Sequence, residues 1–167
     1  MFLSRRQLLA AAFASAALPQ NAFAKTAKII TWDDLIPPGV PYSEIIAEGE
    51  IDEVNDRWKP VFDENANKLN PRLDGAYIKM PGFIVPLDQS TKGITTFILV
   101  PYAGACIHTP PPPPNQLVFV TTKTPWMSDD LWEPVWVTGL LRHQAQSTEV
   151  ADTGYALVSD QIEIYEW

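Results

Sequence analysis

The pattern of apolar and polar positions changes texture near Asp74. From Gly75 to the end, apolar residues come in short β-branched and aromatic runs: "GAYIKMPGFIVPLD" (75–88), "GITTFILVPY" (93–102), "NQLVFVTT" (115–122), "EPVWVTGLLRHQ" (133–144) and "GYALVSDQIEIYEW" (154–167). Such residues suit a pleated, half-buried surface, and the Gly, Pro, Asp and Ser clusters between the runs mark turns. The runs predict five principal strands, the first interrupted at Pro81-Gly82 and the fourth bent or bulged at Gly139. Strands of this number and length predict a mainly β fold, a small five-stranded Greek-key (OB-like) barrel, with an open β-sandwich as the rival. The sequence carries no internal repeat, heptad pattern or phosphate-cradling glycine loop.

Ahead of this region the pattern differs. Three prolines between Pro37 and Pro41 in "KIITWDDLIPPGVPY" predict an extended N-terminal arm draped over the domain and anchored by Trp32, Leu35 and Ile36. From Ser43 on, "SEIIAEGEIDEVNDRWKPVFDENANKLNP" places a capping residue before acids, which predicts one or two short helices or helical turns before Pro71, interrupted at Gly49 and Pro60. Residues 25–74 thus form an arm and helical region packed on a barrel of residues 75–167.

The first 24 residues have Arg5 and Arg6, an alanine-rich apolar run and the small-x-small pattern Ala22-Phe23-Ala24. This reads as a cleaved secretory signal, too short for a comfortable span of roughly 20 apolar residues. Ser4-Arg5-Arg6-Gln7-Leu8-Leu9 resembles a twin-arginine export address, the alternative being an ordinary Sec signal. The expectation is a periplasmic protein with no stable membrane span after cleavage.

Charge narrows the partners. The whole chain has 12 Lys and Arg against 20 Asp and Glu; residues 1–24 hold two of those arginines and no acid, leaving 10 against 20, a formal charge of −10. That balance opposes nucleic acid, which needs a basic footprint. It favours a cation or a basic protein surface.

Candidate chemistry concentrates in "GACIHTPPPPPN", residues 104–115, which holds the one cysteine of the chain and one of its two histidines. In extended backbone, Cys106 and His108 point to the same face with α-carbons roughly 6.5 Å apart, a spacing from which thiolate and imidazole converge on one ion. Pro110 to Pro114 favour polyproline II geometry, and a chain so restrained loses little entropy when its ligands are fixed. Soft ligands suit Zn²⁺ or copper rather than Mg²⁺ or Ca²⁺. Two ligands do not close a structural zinc site, so His143 is the candidate third and Asp88 the candidate fourth.

Other readings stand beside this one. Cys106 and His108 are equally a structural pair in a non-catalytic interaction module, in which the proline run and aromatics such as Trp126, Trp132 and Trp136 face a membrane transporter subunit. A thiol enzyme would use His108 to activate Cys106, although no second cysteine resolves a mixed disulfide. Tryptophans on the barrel face could stack a small ligand or oligosaccharide. Asn115 and Gln116 are placed to bond loop carbonyls that prolines leave without local amides.

"VPYAGACIHTPPPPPNQLVFV", with "GFIVPLD" before it and "PVWVTGLLR" after, resembles a bacterial family of exported proteins and lipoproteins classed as a domain of unknown function. Its signature falls on Gly104, Ala105, Cys106, Ile107, His108, Pro110, Pro111, Pro112, Pro113, Asn115 and Gln116, and an upstream element on Pro86, Leu87 and Asp88, where the family pattern has glutamate. The resemblance implies a link to envelope metal homeostasis, particularly zinc, and to ABC-type transporter or permease components. The combined expectation is a periplasmic, non-enzymatic metal-binding accessory protein working with an envelope transporter.

Overall fold

A computed structural model of the chain describes residues 26–52, 57–88, 91–105, 111–127 and 133–165. Residues 1–24, read above as an export signal, and Cys106, Ile107, His108, Thr109, Pro110 and Trp132 lie outside the described residues. The strands are β1 (Lys28–Ile29), β2 (Ile45–Asp52), β3 (Arg57–Phe62), β4 (Tyr77–Pro86), β5 (Ile94–Val100), β6 (Val118–Trp126), β7 (Val135–Ser147) and β8 (Asp152–Ile164).

The last five are the strands expected from the sequence, and they form a barrel in the order β4-β5-β6-β8-β7, closed by β4 against β7. All pairs within it are antiparallel except β6 with β8, which is parallel. The alternation that identified β4 is the alternation that is buried: Ile78, Met80, Gly82 and Ile84 point inward between partly exposed neighbours. With Phe97, Leu99, Val118, Val120, Val137, Leu141 and Leu157 they fill the interior.

Pro81-Gly82 does not break the first strand. It marks where β4 changes partner, from β7 for Tyr77–Gly82 to β5 for Phe83–Pro86. A Cβ on Gly82 would lie 2.8 Å from Leu99 Cγ and Val100 O, so the corner is too close for any side chain. Gly139 follows a bulge in the β7–β8 ladder, and a Cβ there would lie 2.2 Å from Val158 O.

The N-terminal arm docks as expected and more tightly. β1 pairs parallel with β4, Ile30 and Leu35 are buried, and Trp32 packs against the core. Each such aliphatic burial is worth about 1.5–3 kcal/mol.

Residues 43–62 depart from the helical expectation. They form the antiparallel hairpin β2–β3, and the nearby helical structure is confined to 3₁₀ turns at Glu64–Asn67 and Pro71–Leu73. Ser43 caps no helix: its Oγ donates to Asp63 Oδ1 at 2.8 Å, latching the hairpin base. Gly49, at φ +70°, supplies the left-handed residue of a bulge that brings its backbone against Lys59 O. Among the described residues, no helix is long and apolar enough to cross a membrane.

Candidate functional site

The stems of the Cys106 segment are both fixed. On one side the chain leaves β5, turns through Gly104 at φ +81° and buries Ala105 completely. Ala105 joins Ile98, Val100, Leu117 and Ala151 in a second apolar cluster. On the other side Pro112 and Pro113 are buried and a 3₁₀ turn, Pro114–Gln116, leads into β6. The described part of the proline run is therefore folded into the protein, where a docking ridge would be raised from it.

Asn115 and Gln116 fasten this stem: Gln116 Nε2 donates to a carbonyl of the loop itself, Asn115 O at 3.1 Å, as expected, and the other bonds reach beyond it. Asn115 Nδ2 donates to Asn65 O at 2.9 Å and Lys68 O at 3.2 Å, and Gln116 Nε2 donates to Trp32 O at 3.1 Å. Both side chains are buried, so they tie the loop to the arm and to the 3₁₀ turn before Pro71.

The other candidate ligands are engaged elsewhere. His143 Nε2–H donates to Asn70 O at 2.9 Å, its backbone amide donates to Asp74 Oδ1, and its ring meets Tyr155 edge-on at 5.4 Å. Tyr155 is wholly buried; its hydroxyl donates to Leu35 O at 2.6 Å and accepts from Asn70 N at 2.7 Å. Burial pushes that hydroxyl up to about 12, against the pull of the Asn70 amide. This set is a polar tie between arm and barrel.

Asp88 closes the β4–β5 turn. Its Oδ1 accepts from the amides of Thr95 and Thr96 at 3.0 and 2.7 Å, and its Oδ2 from Thr95 Oγ1. Burial raises its carboxyl, and the donors from Thr95 and Thr96 outweigh that and hold it below the usual range. It stands by Thr96, four residues along β5 from Val100, about 13 Å at 3.3 Å per residue. That places it at the far end of the strand from the Gly104 turn.

Among the described residues, no group of three His, Cys, Asp or Glu side chains is arranged to hold a metal ion. Of the tryptophans expected to face a partner, Trp126 lies against the core, and Trp136 tilts on Tyr165 at 5.0 Å with Lys79 Nζ 5.3 Å above its ring.

The structure adds two clefts on either side of Pro114, between the β2–β3 hairpin and the end of β7 and β8. The smaller, about 110 Å³, is lined by Trp58, Lys59 and Phe62 on the hairpin, by Pro111 and Pro112, and by Ala151 and Asp152. The larger, about 700 Å³, lies between Pro60–Phe62 and Ala145–Ser147. Asp152 lines both and accepts from Ser147 Oγ at 2.6 Å. Sequence reading passed over Asp152 and the clefts, because both depend on where the hairpin stands.

Comparison with known proteins follows this geometry. No curated protein matches the chain. The chain is similar to a DUF3299 family protein from Pseudomonas aeruginosa PAO1 of known crystal structure, with 34% identity and a TM-score of 0.66 over 85% of this chain and 98% of that one. The profile of DUF3299, described as a protein of unknown function, matches residues 32–164, taking in the arm, the hairpin and the whole barrel, and the chain belongs to that family.

Proposed function

We propose that the chain is an exported, non-enzymatic binding protein that holds a thiophilic cation, Zn²⁺ or copper, through Cys106 and His108, and passes it to an envelope transporter of the ABC type. The observation that carries this reading is the double anchorage of the segment. Ala105 packs with Leu117 and Ala151, and Pro111, Pro112 and Pro114 line a cleft with the same two residues, so the chain on both sides of residues 106–110 is fixed. A frame set in advance lowers the entropy lost on binding.

The donor set suits the ion only if oxygen or water completes it, since thiolate and imidazole are two ligands of four. Asp152, exposed, lines a cleft together with Pro111 and Pro112 and is the candidate oxygen ligand. His143 commits Nε2 to Asn70 O, and Asp88 commits both carboxylate oxygens to Thr95 and Thr96. The excess of acid, formally −8 over the whole chain, raises the local concentration of any cation.

The test is a Zn²⁺ titration followed by calorimetry on protein purified without chelators. Cys106→Ala and His108→Ala should each weaken binding well beyond tenfold, about 1.4 kcal/mol. Asp152→Asn should weaken it less, and His143→Gln and Asp88→Asn should leave it unchanged. Wild-type affinity in the Cys106→Ala protein discards the site.

A further inference from the structure

Further along β8 the barrel wall splits. β6 and β8 run parallel in register from Val118 opposite Tyr155 to Thr122 opposite Ser159, where their pairing ends. Beyond that point β6 rejoins β5 only at Trp126, opposite Ile94, while β8 stays with β7. Each strand bulges as it leaves the other. On β6, Thr122–Pro125 stand opposite Thr95 alone; on β8, Asp160 is the extra residue between Ser159, opposite Gly139, and Gln161, opposite Thr138. A bulge takes its extra residues out of the ladder and re-aims their side chains.

The split is tied at its apex. Thr122 and Ser159, the last partners across it, each donate a hydroxyl to the carbonyl two residues further along the same strand, Thr124 O at 3.0 Å and Gln161 O at 3.1 Å. Those two carbonyls are satisfied without the strands meeting. Gly93 holds the far end: at φ +102° it comes so close that a Cβ there would lie 2.7 Å from Trp126 O.

Between the strands lies a cleft of about 400 Å³, inside the ordinary range for ligand sites of about 300–1,000 Å³. Trp126 packs against the core and also lines the cleft, so its indole is held from behind and presented in front. Around it stand the hydroxyls of Thr122 and Thr124, the carboxamide of Gln161 and the carboxylate of Asp160. The last also accepts from the Tyr77 hydroxyl, which helps to fix it. Among the described residues, no lysine, arginine or histidine lines the cleft.

We propose that this cleft binds a neutral sugar, with one face of a pyranose ring on the Trp126 indole and its hydroxyls on Asp160, Gln161 and Thr124. A pyranose has an apolar C–H face, which suits an indole, and a rim of hydroxyls that both donate and accept. A carboxylate accepts and a carboxamide does both, so the two together can serve neighbouring hydroxyls. An anionic ligand finds no cation in the lining and meets a chain of formal charge −8. A cationic amine finds one carboxylate, on an exposed residue, and an exposed ion pair is worth little. The inference is independent of ion binding.

The test uses the full chain in excess chelator, which removes any contribution from an ion. The probes are three neutral disaccharides, cellobiose, maltose and di-N-acetylchitobiose, with spermidine as the cationic control. Binding is read from amide and indole N–H shifts and from tryptophan fluorescence. At least one sugar should bind with a dissociation constant of about 1 mM or below and shift the Trp126 indole and the amides of Thr124 and Gln161.

Gln161→Ala and Asp160→Ala, both at exposed positions, should each weaken that sugar by at least about tenfold. Trp126→Ala should remove binding; since Trp126 also packs on the core, the two exposed changes carry the test if that variant does not fold. Binding of none of the three sugars overturns the proposal. So does wild-type affinity in the folded Gln161→Ala and Asp160→Ala proteins, or a sugar that shifts amides elsewhere and leaves these unmoved. Spermidine shifting the same amides at lower concentration than any sugar also overturns it, by assigning the cleft to a cation.

Discussion

Two neighbouring regions treat their polar groups in opposite ways, the Asn70–Tyr155 tie and the start of β8. At Asn70 everything is used: the amide bonds Tyr155, the carbonyl accepts from His143, and the side chain reaches Asp34 O and Arg72 N. On β8, Thr153 Oγ1 is buried without a partner among the described residues. Satisfied polar groups make a scaffold and unsatisfied ones make a place for something else. By that criterion His143, although the residue type most suggestive of a ligand, belongs to the scaffold, and Thr153 belongs to the open side.

The largest effect should therefore come from the closed region. Tyr155→Phe leaves Leu35 O and Asn70 N in a buried setting without the hydroxyl. The two groups keep the 3.2 Å bond between them, so each loses its second partner, at a cost of about 1–2 kcal/mol apiece. Urea unfolding should show a loss of about 2–4 kcal/mol with an unchanged slope. A loss below about 0.5 kcal/mol would show that the arm is held by Ile30 and Leu35 alone and that the tie is incidental.

The open region should respond with the opposite sign. Thr153→Val keeps the shape and removes a hydroxyl that has no partner, so it should stabilise the free protein by about 1 kcal/mol. If the variant is destabilised instead, the hydroxyl is already satisfied in solution and the contrast between the two regions narrows.

This contrast also explains what was legible in the sequence. The five barrel strands were readable because each has one face in the core, which writes period-two alternation into β4 and a bulge glycine into β7. The hairpin was not. With no second layer over β2, its residues carry no such contrast, and Ser43 followed by acids imitates a helix start while its hydroxyl serves Asp63. Asn115 and Gln116 were recognisable as loop fasteners from residue type. Their partners were not, since Asn65 O, Lys68 O and Trp32 O are backbone carbonyls with no signature of their own. The clefts left no trace in the sequence because strand edges, not side chains, bound the larger one.

The smallest expected effect tests whether the hairpin stands clear of the barrel as described. Ile46 and Ile51 are 64% and 57% exposed on β2, so replacing either by Thr removes little buried area and keeps the β-branched shape. Each change should alter unfolding free energy by no more than about 0.5 kcal/mol. Ile78, wholly buried on β4, sets the contrast: cutting it to Ala should cost about 2–5 kcal/mol. A loss of about 2 kcal/mol from Ile46→Thr would mean that the hairpin folds down on a neighbouring surface in solution. The cleft bounded by Pro60–Phe62 and Ala145–Ser147 would then differ from the one described.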